Sequence, residues 1–321
     1  MRESFEMLRQ IALGQVPRAL GLGDRDPSSE TYGCFDRMYW HYKLIDFPNA
    51  RFQEVCWLLA LLYSQNFEGN SYYQNEKVKE WVGSAIRFWA GIRHRDGSVD
   101  EAYPNERGFC ATAFSTFAVT EAMLLLGHSE PSLENTGKWL SSHDAVAVSN
   151  QTAAAALALL NLYQLTREKR YLHTSREKIS DLLSRQDATG YFPEYGGADI
   201  GYHSLTLAIL CRYWKRTKEI PLEEPIRRGI RFLEERIDET GNYDYRQTSR
   251  KTQFLYSYGL CGAERLLGHL TAGLERGVVL NPAWMDDRYF IQLTTDYLET
   301  YLFCRSKESL AGIGQSSWGS S

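Results

Sequence analysis

The chain has 321 residues, with 36 Lys and Arg set against 40 Asp and Glu for a net charge of −4. That length buries a substantial core in one large domain or two ordinary ones. The charge balance excludes a protein that holds nucleic acid or an anionic membrane surface by its overall charge, so an anionic partner must meet a local basic patch.

The first residues, MRESFEMLRQIALGQV, alternate charged with apolar side chains and lack the apolar core of a signal peptide. No run approaches the roughly 18 to 20 apolar residues of a membrane span. Cys34, Cys56, Cys110, Cys211, Cys261 and Cys304 are scattered without CxxC pairs. Buried reduced thiols and a cytoplasmic location are therefore expected.

Residues 33–54, GCFDRMYWHYKLIDFPNARFQE, show little helical periodicity but are dense in aromatic and charged side chains. They can serve as a cleft wall, with Trp40 stacking on a sugar face and Arg37 or His41 meeting an acidic group. They can equally be an N-terminal segment packed with its aromatics buried.

Helices of two kinds alternate after that. FCATAFSTFAVTEAMLLL (109–126), NQTAAAALALLNLYQL (150–165) and HSLTLAILCRYW (203–214) are apolar on every side. VKEWVGSAIRFWAGI (78–92), REKRYLHTSREKISDLLSRQ (167–186) and PIRRGIRFLEERI (225–237) carry a charged face. The first kind belongs inside and the second wraps around it. The connections 93–108, 185–202 and 237–250 each open on a turn (Asp96-Gly97, Thr189-Gly190, Thr240-Gly241) and continue into a polar, mostly acidic stretch that holds aromatics such as Tyr245. A unit that repeats in this way and cannot bury its apolar face alone predicts stacked hairpins, about five of them. They are placed at 50–94, 109–143, 149–186, 203–237 and 251–304. The predicted fold is all-α: a single α/α toroid over residues 1–311, incomplete at one side, with residues 1–48 packing across it and 312–321 as a tail. Inner helices would then begin at one mouth, at Phe109, Asn150, His203 and Lys251. Their free N–H groups there suit an anionic ligand.

Tyr202-His203 and Asn150-Gln151 fall at two neighbouring inner-helix starts. A Tyr, a His and an amide suit proton abstraction beside a carboxylate, because the amide and a cation offset the charge of the developing enolate. A tyrosine works as the base only if positive charge stabilises its phenolate, and Arg107, Arg250, Lys251 and Arg288 are candidates to supply it. An N-cap and a structural Tyr-His pair is the plainer account of the same residues. The loop carboxylates Asp100, Glu101, Glu194 and Asp199 offer material for glycoside hydrolysis, or are simply solvated. In NPAWMDDRYFIQL, Asp286-Asp287 lacks the spaced carboxylates of a metal motif. Asp286 reads as a helix cap, with Arg288 turned to the cleft. No metal site and no cofactor motif is visible.

VSNQTAAAALALLNLYQLT followed by GYFPEYGGADIGYHSLTLAIL resembles the inner helices of heparinase-type and alginate-type polysaccharide lyases. Those enzymes have an α/α toroid, usually followed by a β-sandwich, and cleave uronate-containing chains by β-elimination. The resemblance implies that Asn150 neutralises the substrate carboxylate, that Tyr202 transfers the proton and that His203 assists or orients it. Gln151 stands where the family often has His, and the helical pattern fills the sequence without room for a β-sandwich. An acidic polysaccharide or oligosaccharide is therefore the expected partner, with Gln151, Glu194, Asp199, Glu101, Arg107, Arg37, Trp40, His41, Tyr245, Arg250 and Arg288 as substrate-binding candidates. The alternatives are a non-catalytic carbohydrate-binding or biosynthesis-associated protein, and a glycoside hydrolase using Glu101, Glu194 or Asp199.

Overall fold

A computed structural model describes residues 2–128 and 133–305; the stretch read as a tail, 312–321, lies outside them. The described residues form twelve α-helices and only isolated β-bridges. In chain order the helices are α1 (Arg2–Leu22), α2 (Arg37–Trp40), α3 (Val55–Ser64), α4 (Glu76–Gly91), α5 (Phe109–Leu126), α6 (Glu134–Ser142), α7 (Ser149–Thr166), α8 (Lys169–Ser184), α9 (Ile200–Thr217), α10 (Glu223–Glu234), α11 (Glu264–Arg276) and α12 (Tyr289–Arg305).

Hydrophobic pattern decides which of these lie inside. In α5 every residue from Ala111 to Met123 is buried, and in α7 the run from Thr152 to Leu162 is buried throughout. In α10 only Ile226, Gly229, Ile230, Phe232 and Leu233 are buried, which is one stripe of an amphipathic helix. Each buried Leu, Ile or Phe contributes roughly 1.5–3 kcal/mol. By length and composition α5 could cross a membrane, but 72% of that window is buried inside the fold. Contacts run from α12 to α3, then through α5, α7 and α9 to the 3-10 turn Tyr258–Leu260, and from that turn back to α12. On the outside α4 packs on α3, α6 on α5 and α7, α8 on α7, α10 on α9, and α1 on α12.

The outer layer is pinned by a repeated turn. Asp96, Asp187 and Asp238 each fold their carboxylate back onto the N–H and hydroxyl of a Ser or Thr two residues later. In the second of these turns Gly190 has φ +108° and lies against α10, where a Cβ would sit 2.4 Å from the Arg228 carbonyl oxygen. Only glycine fits that position.

The expected hairpin 251–304 takes a different form. Its inner member is an extended run ending in the 258–260 turn, and no α-helix starts at Lys251. The backbone N–H groups that a helix would have paired are satisfied by side chains: Tyr256 N–H donates to Ser204 Oγ (2.9 Å), and Ser257 and Tyr258 N–H donate to Asp296 Oδ2 (2.6 and 3.2 Å). Gly259 allows the close approach, since a Cβ there would meet the Ala208 backbone nitrogen at 2.9 Å.

Buried charge fixes the register of the inner layer. Arg212 of α9 donates to Asp296 Oδ1 (2.8 Å) and Glu299 Oε2 (2.7 Å) of α12, and Arg216 pairs with Glu121 of α5 and Asn161 of α7. Such pairs add little net stability, but breaking one leaves an uncompensated buried charge.

Candidate functional site

The loops before α5, α7, α9 and α12, together with the Ala50–Glu54 turn before α3, converge on a cleft of about 330 Å³. It is lined by Asn150, Gln151, Glu194, Tyr195, Tyr202, Glu101, Arg250 and Arg288, and also by Arg51, Cys110, Tyr289 and Gln292. Two loops meet to build its centre. Tyr195 N–H donates to the Ala147 carbonyl (2.7 Å) and Ser149 Oγ donates to the Pro193 carbonyl (2.6 Å), so residue 194 is laid across the start of α7.

Val148 supplies no side-chain cap to α7, and Glu194 takes its place. Glu194 Oε1 accepts the Asn150 N–H (3.0 Å) and the Asn150 side-chain amide (2.9 Å). Its second oxygen, Oε2, is buried and has no partner among the described residues. Burial raises the carboxyl from 4.5 to about 7, with nearby Asp199 adding to the shift and the Asn150 bonds and Arg250 opposing it. This carboxyl therefore changes charge near neutrality, with one oxygen free.

Tyr202 lies half-buried in the first turn of α9. Burial and the neighbouring Tyr289 push its phenol up to about 12, against a downward pull from Arg250. At rest it is a neutral proton donor. The Arg250 guanidinium sits 4.6 Å from the Tyr195 ring centroid and 5.8 Å from that of Tyr202. Among the described residues it has no carboxylate partner. The other cations of the cleft are committed. Arg51 pairs with Glu54 and lies 3.8 Å from Glu101 Oε2, and Arg288 pairs with Glu101 Oε1. Glu106 sets the Glu101 loop by accepting the N–H groups of residues 101, 102 and 103 (3.1, 2.7 and 3.3 Å).

Several residues expected at the site are elsewhere, each for a visible reason. His203 is fully buried between Phe192 and Phe232, facing the outer layer. Its Nδ1 accepts the Phe192 N–H (3.1 Å) and its Nε2 donates to the Gly229 carbonyl (3.0 Å). Burial lowers it to about 4, so it is neutral and cannot assist Tyr202. Asp199 is the N-cap of α9, and its oxygens accept from the Tyr202, Arg250 and Thr252 N–H groups and the hydroxyls of Thr248 and Thr252. None of its capacity is left for substrate. Arg107 is exposed and pairs with Asp96, outside the lining. Tyr245 sits in a 3-10 turn with its ring beside Arg246 and also lines no part of the cleft. Arg37, Trp40 and His41 belong to the N-terminal region. The Trp40 indole donates to the Leu22 carbonyl (2.8 Å), Arg37 lies over Tyr42, and His41 sits between Trp40 and Tyr42, tilted to the first and edge-on to the second.

Arg51, Tyr289 and Gln292 are not among the sequence candidates. All three lie at the start of inner elements, the same position that singled out Asn150 and Tyr202. That rule applied to the Ala50–Glu54 turn and to α12 would have included them.

No protein-family profile, curated protein or solved structure matches the chain.

Proposed function

We propose that the helices form an α/α toroid whose mouth binds a uronate-containing polysaccharide, and that the cleft cleaves this chain by β-elimination. The observation that carries the reading is the pairing of Glu194, which has a free buried oxygen and titrates near 7, with the neutral Tyr202 phenol in one cleft. A carboxylate that titrates near the working pH is an effective general base, and a neutral phenol is a matching acid.

In this mechanism the uronate carboxylate lies against Arg250 and the amides of Asn150 and Gln151, which draw off charge as the enolate develops. Ionised Glu194 takes the proton from the carbon next to that carboxylate. The electron pair forms the new carbon–carbon double bond, the bond to the glycosidic oxygen breaks, and Tyr202 gives that oxygen its proton. The products are an unsaturated uronate end and a free hydroxyl. Proton transfer thus falls to Glu194 and Tyr202, with His203 holding the backbone beneath them.

Glycoside hydrolysis fits less well, because it needs two available carboxyl groups. Both oxygens of Glu101 face arginines, and Asp199 is saturated by capping bonds. The test is ultraviolet absorbance of unsaturated uronate on a panel of acidic polysaccharides. We expect activity that rises with pH through about 7, the value set by Glu194, and a loss of roughly 100-fold or more in Tyr202→Phe with the fold intact. Reducing ends without the chromophore would favour hydrolysis, and binding without any product would favour an accessory role.

A further inference from the structure

Directly beneath the cleft lies a second chamber that shares Phe114, Leu205 and Gln292 with it. Its volume is about 30 Å³, and its remaining walls include Trp57, Phe117, Ala118 and Ile209. Trp57 and Phe117 meet edge to face with centroids 4.9 Å apart, which gives a stiff aromatic floor.

Six polar side chains border the chamber, and each is already engaged. Glu54 is held by Arg51 and Gln292, and Tyr256 donates to Gln292 (3.2 Å). Asp296 accepts from Ser257 and Arg212, and Arg212 donates to Glu299 as well (2.7 Å). The Thr295 hydroxyl is spent on the Ile291 carbonyl (2.7 Å). A stable buried water needs about two to four partners, whereas the polar groups here already bond one another and the rest of the wall is apolar side chain. Its space nevertheless exceeds the roughly 10–15 Å³ that one water requires. It therefore suits a small apolar group, and the walls it shares with the cleft put that group within reach of a cleft-bound ligand.

We propose that the chamber is a specificity pocket for an acetyl substituent on the bound sugar, the methyl seated on Trp57, Phe117 and Ala118 and the carbonyl left on the polar, cleft side. This rests on the reading of the cleft as a site for acidic sugars and adds to it the substitution pattern of the preferred chain. A longer acyl group is excluded by volume. An unsubstituted hydroxyl would lose its hydrogen bonds to water on entry and meet the apolar walls of Trp57, Phe117, Ala118 and Ile209.

The test is calorimetric titration of the whole chain with two matched pairs of probes. One pair is O-acetylated oligomannuronates and the same material after saponification. The other is N-acetylated oligosaccharides of alternating glucuronate and glucosamine, and their N-deacetylated counterparts; the two pairs separate ester from amide acetyl. One acetylated form is expected to bind roughly 10-fold or more tighter than its stripped partner, as one methyl in an apolar pocket allows. In Ala118→Leu, which fills the chamber, that preference disappears while binding of the stripped form is unchanged. Equal binding of both members of each pair by the native chain overturns the acetyl pocket but leaves the sugar cleft standing. No binding by any probe overturns the cleft reading and the pocket with it. A preference that survives in folded Ala118→Leu places the acetyl group elsewhere and also refutes the proposal. The comparison on the native chain needs no variant, so a poorly folding Ala118→Leu does not remove the test.

Discussion

Replacing Glu194 with Gln separates two buried titrations that oppose each other in the native protein. The Glu194 carboxyl sits at about 7 in the fold against 4.5 when free. The folded state therefore holds more protons than the unfolded state between those values, and its stability falls as pH rises through that window. At roughly 1.4 kcal/mol for each pH unit, ionising the buried carboxyl removes about 3 kcal/mol by pH 7 and nothing further above it. His203 acts in the other direction. Its ring sits at about 4 against 6.5 when free. The folded state holds fewer protons there, and stability is lost as pH falls from 6.5 toward 4, again by about 3 kcal/mol. Between pH 4.5 and 6.5 the two slopes largely offset, so the native profile hides both. In Glu194→Gln only the histidine slope remains. The expected difference between variant and native stability is a gain for the variant of about 3 kcal/mol from pH 4.5 to 7, level above that. Other titrating groups, Asp36 and Glu54 among them, are common to both chains and drop out of the difference. Urea midpoints at half-unit pH steps, with unchanged m-values, measure it. If the two profiles run parallel from pH 4.5 to 8, Glu194 is not a buried carboxyl with a raised titration, and the assignment of the general base fails with it.

Two further substitutions test the frame that presents the cleft. Gly190→Ala places a Cβ against the Arg228 carbonyl at a φ of +108°, so a loss of at least about 2 kcal/mol is expected from denaturation midpoints; an unchanged midpoint would mean that the turn does not dock on α10. Asp296→Ala leaves Arg212 with one of its two carboxylates and strips two N–H groups of their acceptor. A loss of about 3–5 kcal/mol is expected, and stability within error of native would show that the extended run is held by other contacts.

The helical class was legible because apolar residues on every face of α5 and α7 have no other soluble solution than burial. The site was legible in part for a different reason. Side chains at inner-helix starts share one mouth, which placed Asn150 and Tyr202 together from sequence order alone. Sequence order does not say which way a side chain leaves its helix. Tyr202 and His203 are adjacent in sequence, yet roughly 100° apart around a helix, and one faces the cleft while the other faces Phe232. Asp199 read as a site carboxylate because acidic caps and acidic catalysts look alike until their hydrogen bonds are counted. The segment 251–260 read as a helix because its partners, Asp296 and Ser204, lie 38 or more residues away from the N–H groups they satisfy.

Glu101 discriminates between the chemistries the cleft could support. It is the carboxylate that holds Arg51 and Arg288, which occupy opposite ends of the described chain, one before α3 and the other before α12. In a hydrolase it would be the second acid or base, and Glu101→Gln would abolish turnover. In the elimination proposed for this cleft it does no chemistry and only occupies two cations. Removing its charge while keeping its shape releases Arg288, whose buried Nε already lacks a partner, and relieves part of the demand on Arg51. Glu101→Gln should therefore bind oligogalacturonate more tightly, by about 5- to 10-fold at low salt, with the gain shrinking as ionic strength approaches 1 M. Turnover on any substrate of the native chain should persist. Binding that weakens, or activity that vanishes while the fold is retained, would move Glu101 from the frame of the site into its chemistry.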